Sequence, residues 1–343
     1  METAWFCLLA FMLVTYVVLD GFDLGAGAVH LLARGEEERR TVLRTIGPVW
    51  DGNEVWLVAA GGTLFFAFPK LYAVSFSGFY LPLILVLWLI MLRGLAIELR
   101  GHVDSALWRR AWDTTFAFAS LALALVLGVA LGNVVRGVPI GEDGTFFAAL
   151  WTDFSVGPEP GVLDWYTLLV GALALVTLSV HGGLWVAHKT EGPLQGRARR
   201  LARLGAWTVG ALVVGVSGAT FAIQPLVPRA FAERPWGVVL PLGAAVALGT
   251  VIRNVRRGQD GRAFLASAAF IALLLASAAF GLFPAVLPAL DPSRTLTVTN
   301  AATSRYGLGV GLAWWIPGMA LAVGYFAFLY RRFAGKVTGE EGY

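Results

Sequence analysis

Long apolar stretches alternate with short polar connections along the whole chain. Each stretch runs for about 20 residues, the length a helix needs to cross a bilayer core that offers no partner to an unpaired backbone group. Nine are predicted, at 4–32, 52–69, 74–99, 112–135, 162–188, 204–226, 236–252, 262–284 and 306–330, the seventh being the shortest. The first is not a cleavable signal peptide: it opens on Glu2 rather than basic residues, runs too long and has no small-residue cleavage site. The predicted fold is all-α, a polytopic integral membrane protein whose nine helices pack as bundles in a single membrane domain over residues 1–343.

Composition narrows this further. Of 343 residues, 57% are hydrophobic and 14% charged, against about 45–50% and about 25% in a soluble domain. Disorder, collagen and a disulfide scaffold are excluded, because the apolar fraction is too high and Cys7 is the single cysteine. A net charge of +4 hints at nucleic acid in a soluble protein, but here the distribution of charge matters more than its sum. Twenty of the 26 Lys and Arg lie in or beside the connections after spans 1, 3, 5 and 7 and the C-terminus; the other six are Lys70, Arg136, Arg229, Arg234, Arg294 and Arg305. Basic loops stay in the cytoplasm, so the alternation puts the N-terminus outside and the C-terminus inside. The longest connection, 136–161, is then an external solvated loop carrying Glu142, Asp143, Asp153 and Glu159. Gly21 and Gly25, and Gly307, Gly309 and Gly311, are expected to let helices approach closely.

Ionisable groups inside a span are expensive and mark a pathway or a pair. Asp20 and Asp23 stand one turn apart on span 1, in its cytoplasmic half, and share a helix face. Asp51 and Glu54 share a face where span 2 begins, near a helix N-terminus that favours negative charge. Span 3 ends in Arg93, Glu98 and Arg100, the natural counter-charges. Two readings stand. Either these groups are caps and structural ion pairs, or Asp51, with Asp20 and Asp23 behind it, begins a proton path from the cytoplasm. Haem would need facing axial ligands. The candidates are His30, His102, His181, His188, Cys7, Met12, Met91 and Met319, and no facing pair stands out; packed histidines are the better reading. There is no Cys-x-x-Cys, no His-Glu-x-x-His and no Walker loop.

The stretch Gly21-Phe22-Asp23-Leu24-Gly25, Arg39-Arg40 and Gly47-Pro48-Val49-Trp50-Asp51-Gly52-Asn53-Glu54-Val55-Trp56-Leu57 resembles the second subunit of cytochrome bd quinol oxidase. Phe68-Pro69, Phe76-Ser77-Gly78-Phe79-Tyr80 and the segment Arg93–Arg100 agree with that family, as do Gly132-Asn133, Gly137-Val138-Pro139, Phe283-Pro284, Leu287-Pro288, Leu296-Thr297 and Asn300-Ala301. The resemblance covers essentially the whole chain. It implies a subunit of a quinol:oxygen oxidoreductase in a bacterial or archaeal cell membrane, paired with a haem-bearing first subunit and, in some complexes, a small single-span peptide. It places haem b and haem d in the partner and no cofactor in this chain, a structural quinone being a feature of some members. Quinol, oxygen and lipid are the expected small partners, with no nucleic acid. By resemblance Asp51 is the cytoplasmic proton entrance, Asp20, Asp23 and Glu54 belong to the proton pathway, and Trp56 stands at the mouth of an oxygen channel. Arg93, Glu98 and Arg100 are expected as structural ion pairs. Thr299-Asn300-Ala301 departs from the Trp-Asp that several members carry there, which removes a carboxylate from the external face. The competing readings are a proton-coupled transporter, for which buried acids are also expected, and a membrane cytochrome using His181 or His188.

Overall fold

Uninterrupted Leu, Ala, Val and Phe leave a helix as the way to pair every backbone group within one segment. The structure, a computed structural model, describes residues 1–337. The chain runs α1 (Glu2–Leu32), α2 (Gly35–Ile46), α3 (Trp50–Ala67), α4 (Pro69–Gly78), α5 (Tyr80–Leu99), α6 (Ala106–Arg136), α7 (Trp165–Lys189), α8 (Gly192–Ile223), α9 (Leu226–Glu233), α10 (Val239–Arg256), α11 (Asp260–Leu282) and α12 (Arg305–Arg332). A two-stranded antiparallel ribbon, β1 (Ala285–Leu287) and β2 (Leu296–Thr297), precedes α12.

Among the described residues eight helices are long and apolar enough to cross a membrane; α3 and α4 qualify together, bent by 119°, as a ninth. Pro69 begins α4, where a missing N–H costs nothing, so the predicted second span ends at the bend and residues 74–78 belong to α4 rather than to the third span. Two helices lie outside the predicted spans: α2, whose Glu36, Glu37 and Glu38 fill its first turn, and the short α9. Helix α8 begins twelve residues before its predicted span, because Pro193 opens a basic helical segment that precedes the apolar part. Asp164 caps α7 reciprocally with Thr167.

Contacts gather the connections at two ends of the bundle. At the basic end Arg100 pairs with Glu36 and Asp113, Arg197 with Glu38, and Arg199 with Asp260. Lys189 Nζ there donates to the carbonyls of Phe333 and Gly335 at 2.6 and 2.8 Å, which ties the end of α12 to α7. At the other end the 137–164 connection covers α4 through Ala148 N–H to Gly78 O (3.0 Å) and meets the ribbon through Val138 N–H to Pro288 O (3.0 Å). Arg294 joins Glu142 and Asp291, and Asn300 braces the ribbon by accepting from Thr297 N–H and donating to Thr295 O. Helix α1 sits centrally against α3, α6, α7 and α11, and α12 lies at the edge against α1 and α3. The backbones of α1 and α7 meet at Gly25 and Gly182. Of the expected glycine contacts, Gly311 faces Phe66 and Trp5 closely, whereas the atoms nearest Gly307 belong to its own helix start at Thr303 and Ser304.

Candidate functional site

The central helix carries the chemistry. Leu19-Asp20-Gly21-Phe22-Asp23 puts two carboxylates on one face of α1, and α3, α5 and α12 close over them. Asp20 and Asp23 are fully buried, as are Asn53 and Arg93. Arg93, on α5, divides its guanidinium: Nη1 lies 2.7 Å from Asp20 Oδ1, and Nη2 donates to Glu54 Oε2 at 2.8 Å. One cation thus bridges acids on two other helices. Asp23 takes no part in this. It accepts from Asn53 Nδ2 at 2.7 Å, while the same nitrogen reaches Leu19 O at 3.3 Å. Tyr330, on α12, donates its hydroxyl to Asn53 Oδ1 at 2.8 Å. Neither Asn53 nor Tyr330 belongs to the residues expected from the sequence.

Asp51 lies one turn before Glu54 on α3 and is exposed. It lines two adjoining surface clefts. One, of about 300 Å³, is shared with Trp50, Glu54, Val58 and Met91; the other with Pro48, Glu98, Tyr325 and Leu329. Glu98 departs from its expected place. It is exposed in the second cleft with no ion-pair partner among the described residues, because a five-residue offset from Arg93 turns it about 140° round the helix. Arg100, seven residues from Arg93 and so on the same face, is buried, but it serves other acids. Its Nε donates to Asp113 Oδ1 at 2.6 Å and its two terminal nitrogens to Glu36 at 2.9 and 3.0 Å. That fork holds the Glu36 carboxyl below its usual range. His30 and Arg39 complete the cluster on Asp113 at 2.8 and 3.3 Å.

Trp56 is buried between α1, α3 and α12, edge-on to Phe11 with centroids 6.3 Å apart and tilted against Phe326 at 5.5 Å. Its indole N–H has no hydrogen-bond partner among the described residues. The setting is apolar.

Most of the candidate haem ligands have other partners or are exposed. His181 is buried with both ring nitrogens engaged, Nδ1 with Ser267 Oγ at 2.6 Å and Nε2 with Val18 O at 2.9 Å, and its ring stacks on Phe264 at 4.6 Å. His30 Nε2 is held by Asp113, and His102 Nδ1 by Glu98 O. His188, Cys7 and Met91 are exposed, and Met12 sulfur accepts from Thr63. Among the described residues no group of three or more His, Cys, Asp or Glu could hold a metal ion.

The architecture has known relatives. A structure of bd oxidase from Geobacillus thermodenitrificans matches with a TM-score of 0.74 at 19% identity, over 97% of this chain and 98% of that one, which establishes the shared fold. Cytochrome bd ubiquinol oxidase subunit 2 of Bacillus subtilis is 33% identical over 98% of this chain and 97% of its own length. Cytochrome bd-I ubiquinol oxidase subunit 2 of Escherichia coli is 30% identical over 98% and 95%. The model of the family described as cytochrome bd terminal oxidase subunit II matches residues 1–333. The chain therefore belongs to the cytochrome bd terminal oxidase subunit II family, as a multi-pass protein of the bacterial cytoplasmic membrane and a subunit of an oxidoreductase complex.

Proposed function

We propose that this chain is the haem-free subunit of a quinol oxidase and supplies its partner with protons and oxygen. Quinol gives up two electrons and two protons on becoming quinone. Reduction of one oxygen molecule to two waters takes up four electrons and four protons, so two quinols serve each oxygen. Protons drawn from the basic, cytoplasmic end while quinol releases its own on the other side move charge without a pump. The haems that carry the electrons reside in the partner subunit, in keeping with a chain whose histidines are already engaged or exposed.

The observation that carries this reading is the buried acid group reached from an exposed acid. Asp51 opens on the surface clefts, Glu54 stands one turn deeper, and Arg93 links Glu54 to Asp20, with Asp23 one turn further along α1. Buried charges are costly, and anchoring three helices needs fewer acids than these. Oxygen, apolar and soluble in lipid, enters beside Trp56 through the aromatic packing of Phe11 and Phe326. A structural quinone and a small single-span partner are compatible with this arrangement. The transporter reading gives way to the family relationship.

The test is Asp51→Asn in the assembled complex, reconstituted in vesicles. An amide keeps the shape but cannot carry a proton. Raising the barrier to proton entry by about 1.4 kcal/mol slows turnover roughly tenfold. We expect that loss in quinol oxidation and in proton uptake together, with haem content unchanged. Turnover and uptake at the parent rate would refute the entrance at Asp51.

A further inference from the structure

Three carboxylates surround one guanidinium in this pocket, and the protein treats them unequally. Arg93 engages Asp20 and Glu54. Asp23 takes its hydrogen bond from the neutral Asn53 and makes no ion-pair contact with Arg93, although it is as deeply buried as Asp20. The geometry of Asn53 is fixed from both sides. Its nitrogen lies between two acceptors, Asp23 Oδ2 and Leu19 O, so it must be the NH2 end. Its oxygen accepts the only proton Tyr330 has to give. The donors thus run in one direction, from Tyr330 through Asn53 to Asp23. The chain stops at Asp23 Oδ2; Asp23 Oδ1 is buried without a hydrogen-bond partner, and the two Asp20 oxygens, which also lack one, have the Arg93 charge at 2.7 Å from Oδ1 instead.

We infer that Asp23 is the acid of this pocket that gains and loses a proton during turnover, and that Asn53 and Tyr330 are positioning residues that hold its Oδ2 and leave Oδ1 as the protonation site. Asp20 and Glu54 are the fixed partners of Arg93. The inference rests on the proton-supply role proposed above and assigns the work within it.

A guanidinium that already binds two carboxylates has compensated them, so the charge that an apolar interior cannot hold unaided is the third. An aligned amide stabilises the carboxylate form by donating to it, yet it is neutral and leaves the proton exchangeable. The groups facing Asp23 are Asp20 on its own helix, Asn53 and Glu54 from α3, Arg93 from α5 and Tyr330 from α12. Tyr330 is placed by the anchoring of α12. Its ring lies 6.3 Å from Trp185, over which Lys189 sits while binding the carbonyls that follow α12.

The test uses Tyr330→Phe, which deletes one oxygen, in the complete complex. Without the hydroxyl, Asn53 is free to turn its oxygen toward a protonated Asp23. We expect the pH profile of quinol oxidation to move upward by about half a unit to one unit, the size of effect a single hydrogen bond gives. Asn53→Leu, which removes both contacts at similar volume, is expected to move it further the same way. Redox-difference infrared spectra supply a second readout. The carboxylic-acid carbonyl band that changes on turnover should vanish in Asp23→Asn, persist in Asp20→Asn and shift in Tyr330→Phe. A band lost in Asp20→Asn but kept in Asp23→Asn overturns the assignment. A parent-like profile and band in both Tyr330→Phe and Asn53→Leu overturns the positioning role. If Asp51→Asn stops proton uptake while those variants behave like the parent, this inference alone fails. If Asp51→Asn and Asp23→Asn both leave uptake intact, the proton-supply role fails with it.

Discussion

Replacing Arg93 with leucine is expected to destabilise the chain by about 3–5 kcal/mol, enough to prevent assembly of most of the complex. The size follows from what the guanidinium leaves behind. Asp20 is wholly enclosed and Glu54 largely so, and Arg93 is the single cation in ion-pair contact with either among the described residues. Leucine fills much of the volume but strands Asp20 away from water and leaves Glu54, at the edge of the cleft, without its counter-charge. Asp20 must then take up a proton or drag water into the bundle. Arg93→Lys keeps the charge, yet an ammonium cannot present two parallel arms to acids on different helices, so an intermediate loss is expected. The decisive comparison adds Asp20→Asn to Arg93→Leu. Removing one stranded acid should recover part of the lost stability, measured as the thermal midpoint and the yield of haem-loaded complex from membranes. If Arg93→Leu alone assembles and melts like the parent, the bridge does not hold the three helices.

That bridge was legible in the sequence to an unusual degree, because acids inside apolar spans demand counter-charges and Arg93 was within reach. The partner assignments beyond it were not. Glu98 and Arg100 look equivalent on paper, but a seven-residue offset keeps Arg100 on the buried face with Arg93, and a five-residue offset sends Glu98 outward. Asp113 gives no signal of its own, since it sits at the polar start of a long span, and its partners His30 and Arg39 lie more than 70 residues away. Tyr330 and Asn53 are 277 residues apart, and a tyrosine near the end of the last span reads as an interface anchor. The spans themselves were predicted by apolar length, but α2, α4 and α9 are too short or too polar to register by that measure. Phe68-Pro69 did carry the information for the bend after α3, since proline begins a helix more readily than it continues one.

Gly182→Ala is the second substitution expected to have a large effect, and there the sign opposes helix propensity. Alanine in a helix interior is favoured over glycine by about 1 kcal/mol. At this position the added Cβ would stand 2.2 Å from the carbonyl carbon of Gly25 and 2.5 Å from Ala26 N. Those are backbone atoms of the central helix, so no rotamer change relieves the contact and α1 and α7 must part. Gly25 shows the same crossing from the other side, where a Cβ would come 1.9 Å from Leu178 O. Membrane helices depend on close packing because lipid tails offer side chains as apolar a setting as a neighbouring helix does. We therefore expect a loss of more than about 3 kcal/mol, beyond the range of ordinary overpacking. Gly183→Ala is the internal control: its Cβ would meet Ala198 O at 3.3 Å, a tight contact that a shift of a few tenths of an ångström relieves, and a much smaller loss than for Gly182→Ala is expected. The consequence reaches the acids. Asp23 lies two residues before Gly25, so a separation of α1 from α7 displaces Asp23 from Asn53. Gly182→Ala should lower the thermal midpoint of the complex, and in whatever fraction assembles it should shift the Asp23 infrared band as Tyr330→Phe does. A Gly182→Ala complex as stable as the Gly183→Ala one would show that the two backbones do not meet there.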